Sequence, residues 1–468
     1  MTNLKVPIFN ATQTISAFLL LGLLLLFAPL LKAAQKPHVL MISIDGMRPD
    51  YVTAAQAHHL HLPTLQSFLK DGTYAEGVTG VLPTVTYPSH TTLVTGAWPS
   101  QHGIFANGKF DPLHNKRHDS YWYASDINVP TLWEAASAAG LTVGNVGWPV
   151  TVGAKGIDYS LPAVPPYEVR SADDEPHFLN QPYDHPAGLR KQLDATLPAN
   201  MPPGYEKRFY WGLAVIERYH PDLMLVHLAR LDHVEHMTGP FSAESDRTIE
   251  AIDSEVAQLI AAERAVDPNS IIVIVSDHGF SPLHTRVNLG VLFVRAGLIQ
   301  LRATQAGSQR TDIASWQAQL WPTGGTTAIL LRDPSDSAVR DKVKAILKKA
   351  AANPDYGIEQ VLTRAQTLQQ GGFADPRMIF VVAWKPGYAG GGALTGPVVV
   401  SGLKAGTHGY LAHHPELHSS FFMEGKGIAK GNNLGEIDMR QIAPTVAKLL
   451  GVKLIGAKLP PVRYAGRP

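Results

Sequence analysis

The chain has 468 residues, of which 45% are hydrophobic and 17% charged, with no cysteine and a formal net charge of +1. That length and apolar fraction exclude a disordered or collagen-like chain, and the near-neutral charge without a Lys/Arg cluster leaves no electrostatic footprint for nucleic acid. The missing cysteine excludes disulfides, thiolate-bound zinc, iron–sulfur clusters and thiol catalysis, so carboxylates and the 20 histidines are the strong metal ligands that remain.

The first segment is an apolar run, Ile15–Leu31, lying between Lys5 and Lys32 with no charge inside it. A weakly basic start, an apolar centre and Ala33-Ala34 read as an export signal over residues 1–34, or as an uncleaved amino-terminal anchor. Either way the catalytic part is expected to be exported, to the periplasm or outside the cell, and this segment is the single expected membrane contact. Without residues 1–34 the chain carries 38 basic and 39 acidic side chains.

Beyond it, strands and helices alternate. VLMISI (Val39–Ile44) is a continuous apolar run, as in a strand buried on both faces. Leu62–Gly72 has helical spacing and a Gly stop, and Thr131–Gly140 starts with a Thr cap and ends in Gly before the strand LTVGNVG. Tyr205–Tyr219 is a helix before the strand Leu223–Ala229, and a long helix from Glu244 precedes the strand Ser270–Asp277. A strand at His418–Glu424 and a helix at Ile442–Gly451 close the order. This alternation predicts an α/β fold, a central mostly parallel sheet with helices on both faces. Insertions are expected near 150–204 and 290–400. The second reads as a smaller α+β lobe built on TAILLRD and RMIFVVAW, inside one domain over 35–455 with a tail at 456–468.

The chemistry is expected beyond the carboxyl ends of the strands. VLMISI ends at Asp45-Gly46, LMLVHLA runs on to Asp232 with His236 four residues later, and SIIVIVS ends at Asp277-His278-Gly279. An Asp and a His at i and i+4 share one helix face and can hold one ion, and adjacent Asp-His can hold a second. A lone Asp after a strand is ordinarily a cap, but three of them, two with a neighbouring His, exceed what capping requires. A fourth element is Leu82–Gly108, in which a helix start is expected at His90-Thr91 and Thr86 lies just before it. At that point backbone amides favour an anion, and a hydroxyl touching a metal can become a nucleophile; the alternative for Thr86 is a plain cap.

Asp45-Gly46, Pro83-Thr-x-Thr86-Tyr-Pro-x-His90, Leu93-Val-Thr-Gly96, His102-Gly-Ile-x-x-Asn107, Asp232-x-x-x-His236, Asp277-His278-Gly279 and Gly406-Thr-His408-Gly-Tyr410 resemble, in order, the nucleotide pyrophosphatase/phosphodiesterase family of the alkaline phosphatase superfamily. The resemblance covers most of residues 37–455. It implies an alkaline-phosphatase-like fold and two zinc ions per chain, one held by Asp232, His236 and His408 and the other by Asp45, Asp277, His278 and the Thr86 hydroxyl. Thr86 would attack phosphorus and pass through a phosphothreonine that water then hydrolyses, while Asn107 and the Thr86 amide stabilise the phosphoryl oxygen. Asn107, being neutral, suits a diester better than a monoester dianion, which an Arg would match. Tyr87 matches the family's aromatic against a nucleotide base, although a lipid head group or plain packing would use it equally.

Ser89 departs from the family, which usually has Asn there, and a structural role is expected for it. Arg48 is expected to pair locally, Trp148 to pack, His90 and His102 to be buried and hydrogen-bonded, and His227, His233, His413 and His414 to be surplus or to lie behind the ligands. A sulfatase signature is absent. A phosphomonoesterase, a phosphonate hydrolase or a phospholipid-headgroup phosphodiesterase on the same site, and a non-catalytic binding protein, remain as alternatives to cleavage of phosphodiester or pyrophosphate bonds in nucleotide-type substrates. Nothing in the sequence sets the oligomeric state.

Overall fold

The structure, a computed structural model, describes residues 1–2, 38–114, 119–163, 183–199, 206–302 and 312–465. The chain divides into residues 1–36 and residues 37–468, and the second unit carries the fold. The apolar run read as an export signal lies outside the described residues. Among the described residues no helix is long and apolar enough to cross a membrane.

The first half supplies, in order, β1 (Val39–Ile44), α1 (Pro63–Asp71), β2 (Thr73–Tyr74), α2 (Thr86–Thr95), α3 (Leu132–Ala138), β3 (Val143–Val146) and β4 (Tyr159–Leu161). It continues with α4 (Glu206–Tyr219), β5 (Leu223–Leu228), α5 (Arg230–Thr238), α6 (Ala243–Val266) and β6 (Ile271–Val275). The second half supplies β7 (Ser281–Val287), β8 (Ala318–Pro322), β9 (Thr326–Leu331), α7 (Ser337–Ala351), β10 (Ile358–Thr363) and β11 (Met378–Trp384). It ends with β12 (Gly387–Gly390), β13 (Val399–Thr407), β14 (Phe421–Glu424), β15 (Asn432–Asn433) and α8 (Ile442–Leu450).

The central sheet has the order β15-β2-β14-β6-β1-β5-β3-β4, and β6, β1, β5, β3 and β4 run parallel. Every residue of β1 is buried because its side chains alternate between two covered faces. Leu40, Ile42 and Ile44 join Leu65, Phe68, Val215, Ile252 and Leu259 of α1, α4 and α6. Val39 and Met41 join Leu93, Trp133 and Val446 of α2, α3 and α8. The Thr131 cap is a reciprocal one: its hydroxyl accepts from Glu134 N while Glu134 Oε2 accepts from Thr131 N at 2.9 Å.

The lobe expected from TAILLRD and RMIFVVAW is a four-stranded antiparallel sheet, β8-β9-β11-β10, with those two segments as its adjacent central strands. A smaller sheet, β12-β7-β13, meets β9 and β11 through β12. Its register sets Thr407 opposite Ser281, which brings residue 408 beside the turn that follows β6.

Two expectations shift. The helix expected to start at His90 begins at Thr86, because Pro88 sits in the first turn, where no amide donor is needed. The strand expected at His418–Glu424 is confined to Phe421–Glu424 and runs antiparallel to β6, so the sheet is mixed at that edge. Much of the loop-rich stretch 150–204 lies outside the described residues, as do 303–311. The C-terminal tail is not loose at its middle: Val462 is buried and its amide donates to Thr445 Oγ1.

Candidate active site

Parallel strands in register end level, and here β1, β5 and β6 deliver their next residues to one edge. Ser43 lies opposite both His227 and Val275, so Asp45 leaves β1 beside the end of β6, where Asp277-His278 follow. Gly46 makes the turn after Asp45 at φ 78° and donates its amide to Asp277 Oδ1 at 3.1 Å. A side chain there would strike Glu235 Oε2 at 2.8 Å, so the close approach requires glycine. Asp232 and His236 occupy one face of α5, with His236 Nε2 3.5 Å from Asp232 Oδ1. His408 comes from the end of β13.

Five of the six expected Asp and His ligands fall into two overlapping clusters, and His236 belongs to neither. Asp45, Asp277 and His278 each offer a ligand atom within 4.8 Å of one another, and so do Asp232, His278 and His408. His278 Nε2 is the shared point, 3.1 Å from Asp277 Oδ2 and 3.6 Å from Asp45 Oδ1. His408 Nε2 lies 3.6 Å from Asp232 Oδ1, and its ring stacks on His278 with centroids 3.7 Å apart. His236 stands at the open side, with its side chain 40% exposed.

Each of these three histidines turns its Nδ1 to a backbone carbonyl: His278 to Gly279 O, His236 to Gly406 O and His408 to Thr84 O. That fixes Nε2 as the free nitrogen, as a ligand needs. Burial holds His278 and His408 well below the usual imidazole range, and for His408 the neighbouring His278 and His236 add to it.

The carboxylates tell the complementary story. Burial, then the proximity of Asp277 and Asp232, pushes Asp45 well above the usual carboxylate range. Burial pushes Asp232 up to about 6, with His236 opposing and Asp277 adding. Asp45 Oδ1, Asp232 Oδ1 and Asp277 Oδ2 are buried oxygens without a hydrogen-bond partner among the described residues. Three unpaired carboxylate oxygens around imidazole nitrogens form an O/N donor set that fits a divalent metal.

Thr86 is the first residue of α2, 7% exposed, with its Oγ1 3.4 Å from His278 Nε2. Asn107 accepts the Tyr87 amide hydrogen on Oδ1 at 2.9 Å, so it stands over the same helix end. Tyr87 is nearly buried and meets Trp122 edge-on at 6.0 Å, in a small apolar cluster with Ile104, Val150 and Val152.

Other expectations resolve by contact. His90 lies under α2, its Nδ1 on Thr86 O at 2.8 Å and its Nε2 on Ser43 Oγ at 2.9 Å. His102 is buried against Thr92 Oγ1, and Trp148 packs edge-on to His90. Ser89 is buried inside α2 rather than ahead of it. Arg48 pairs with Asp50. Of the surplus histidines, His227 approaches the cluster and binds Asp45 Oδ2 at 2.9 Å. Glu235 went unread in the sequence: fully buried one residue before His236, it accepts from Tyr51 Oη at 2.7 Å, and burial drives it well above the usual range. Its signal was slight, since a Glu between Asp232 and His236 on a polar helix reads as surface.

Residues 39–411 match the type I phosphodiesterase/nucleotide pyrophosphatase family. An uncharacterized pyrophosphatase/phosphodiesterase of Schizosaccharomyces pombe is 27% identical over 248 residues, 52% of this chain and 45% of that protein. The mouse bis(5'-adenosyl)-triphosphatase enpp4 is 24% identical over 435 residues, 90% of this chain and 79% of that protein. The matched stretch thus spans under half the length of the first of these relatives. Murine ectonucleotide pyrophosphatase/phosphodiesterase 5, solved as an inactive variant in complex with AMP, shares the fold at a TM-score of 0.61 and 20% identity, covering 92% of this chain and 97% of its own. The architecture is therefore alkaline-phosphatase-like, as the motifs implied. With the match running from β1 to the residues just past His408, the chain belongs to the type I phosphodiesterase/nucleotide pyrophosphatase family.

Proposed function

We propose that this protein is an exported hydrolase that cleaves phosphodiester or pyrophosphate bonds of nucleotide-type substrates through a covalent phosphothreonine on Thr86. The observation that carries the reading is the position of Thr86: its hydroxyl heads α2, 3.4 Å from His278 Nε2, the nitrogen common to both ligand clusters. Two zinc ions, one with Asp45, Asp277, His278 and Thr86 and one with Asp232, His236 and His408, would supply Lewis-acid stabilisation of the oxygens exchanged at phosphorus.

The chain's own groups do the rest. Thr86 Oγ gives up its proton and attacks phosphorus, the alcohol or phosphate leaving group departs on the opposite side and takes up a proton, and water later cleaves the Thr86–phosphorus bond to release the phosphate monoester. The helix end favours the anionic group, and Asn107, whose oxygen is held by the Tyr87 amide, offers its NH2 to a non-bridging oxygen. Carrying no charge, that donor suits a diester monoanion. Tyr87, next to Thr86 and edge-on to Trp122, would stack on a base, a reading supported by the AMP complex of a related fold.

The test compares bis-p-nitrophenyl phosphate with p-nitrophenyl phosphate on one zinc-loaded preparation, with AMP as inhibitor. Faster diester turnover and competitive inhibition by AMP are expected. Faster monoester turnover rejects the diester reading, and undiminished diester cleavage by Thr86→Ala rejects the nucleophile.

A further inference from the structure

We infer that Glu359, His413 and His414 form a separate divalent transition-metal site that braces the loop after His408 to the inserted lobe. Both imidazoles direct Nε2 at one carboxylate: His413 lies 3.3 Å from Glu359 Oε1 and His414 lies 2.8 Å from Glu359 Oε2. One ligand atom from each of the three residues falls within 4.8 Å of the others. A tetrahedral zinc with bonds of about 2.0–2.1 Å holds its ligand atoms about 3.3 Å apart, so the three are near binding separation without rearrangement.

The backbone is built to bring them together. Glu359 is the extra residue of a β-bulge, since Ile358 faces Trp384 while Gln360 faces Ala383, and a bulge re-aims the side chain it carries. His413 and His414 precede a short helical turn, Pro415–Leu417, and their rings lie 4.2 Å apart at 33°. Leu417 O accepts the amide of Gly279, one residue beyond His278, so this loop touches the candidate active site at both its ends. The hydrogen bond between His414 Nε2 and Glu359 Oε2 would by itself satisfy that oxygen. What favours an ion is that two nitrogens from consecutive residues are turned to one carboxylate across elements 55 residues apart. Two imidazoles and one carboxylate select zinc, copper or nickel over calcium or magnesium, and three protein ligands leave a position open to solvent.

The experiment counts zinc. Full-length protein, its His413→Ala/His414→Ala double variant and Glu359→Gln are equilibrated with buffered free Zn2+ and the bound metal is measured, with thermal unfolding followed on the same samples. One equivalent fewer in the double variant is expected, together with a binding step weakened about tenfold or more in Glu359→Gln and a smaller zinc-induced rise in Tm. Equal zinc content and equal Tm shifts in all three proteins overturn the site. Should the double variant not fold, the near-isosteric Glu359→Gln decides alone. The readout is a difference between proteins, so it stands whatever number of ions Asp45 and its neighbours hold.

Discussion

The Nε2 of His227 lies 2.9 Å from Asp45 Oδ2, joining the ends of two neighbouring parallel strands directly beneath the ligand clusters. Burial, with the neighbouring His90 and Arg208, holds His227 well below the usual imidazole range. Its Nδ1 lies 2.9 Å from Gly147 O and 3.2 Å from Arg208 Nη1, so the ring is fixed with Nε2 toward Asp45. Asp45 is thereby held by one oxygen while Oδ1 stays free toward His278. His227→Ala is expected to lower both zinc affinity and kcat/KM by about 10–100-fold, the usual cost of losing a ligand's supporting partner. Zinc competition with a chelator, run beside the kinetics, checks this; an unchanged metal affinity contradicts it.

Thr86→Ala should reduce diester turnover by roughly 10³-fold or more, because no other hydroxyl is expected to supply the nucleophile. Thr86→Ser keeps the hydroxyl and should retain measurable activity. Wild-type protein acid-quenched during diester turnover should carry the substrate's phosphoryl group, with its retained ester substituent, on Thr86, and mass spectrometry of the peptide spanning α2 reads it directly.

Asn107→Ala removes the donor proposed to face a non-bridging oxygen and the acceptor of the Tyr87 amide. A fall in kcat of about 10²–10³-fold is expected, with KM changed less, since the interaction strengthens as charge develops. A loss confined to KM would point to ground-state binding alone.

Removing metal leaves Asp45, Asp232 and Asp277 facing one another with three unpartnered oxygens. Chelation is therefore expected to abolish diester cleavage and to lower Tm by several degrees, and stoichiometric zinc should restore both, because binding to the folded state alone stabilises it. Calorimetry with and without chelator measures the difference; superimposable traces count against metal in these clusters.

A pH effect arises away from the site. His38, before β1, has Nδ1 3.3 Å from Glu263 Oε1, and this acidic partner raises its pKa against the opposing effect of burial. With the folded value above the ordinary 6.5, the stabilisation is fully present below about pH 6.5 and lost as pH rises through the folded value. His38→Gln should consequently cost most stability at pH 6 and least at pH 9. Urea unfolding of both proteins across that range tests the sign.

Much of the fold was legible because its signals are local. VLMISI shows by composition that it is buried on both faces, Thr131 and Glu134 announce a cap three residues apart, and Asp232 with His236 shares a helix face wherever that helix goes. Thr86 was misplaced by a few residues relative to its helix because a proline in a first turn reads as an interruption. Glu235 escaped because nothing in its neighbours signals that Gly46 and Tyr51 close over it.

The sequence by itself determined the chemistry available, namely carboxylates, imidazoles and one well-placed hydroxyl without thiols, and the alternation that makes an α/β sheet. Tertiary structure alone decided which of those groups meet. His278 and His408 stack because Thr407 pairs with Ser281, and His227 supports Asp45 because β5 lies beside β1 in a level register. Glu359 reaches His413 and His414 through a bulge one residue long. Burial patterns and caps are written within a few residues of chain, whereas strand order and register arise from packing among segments far apart.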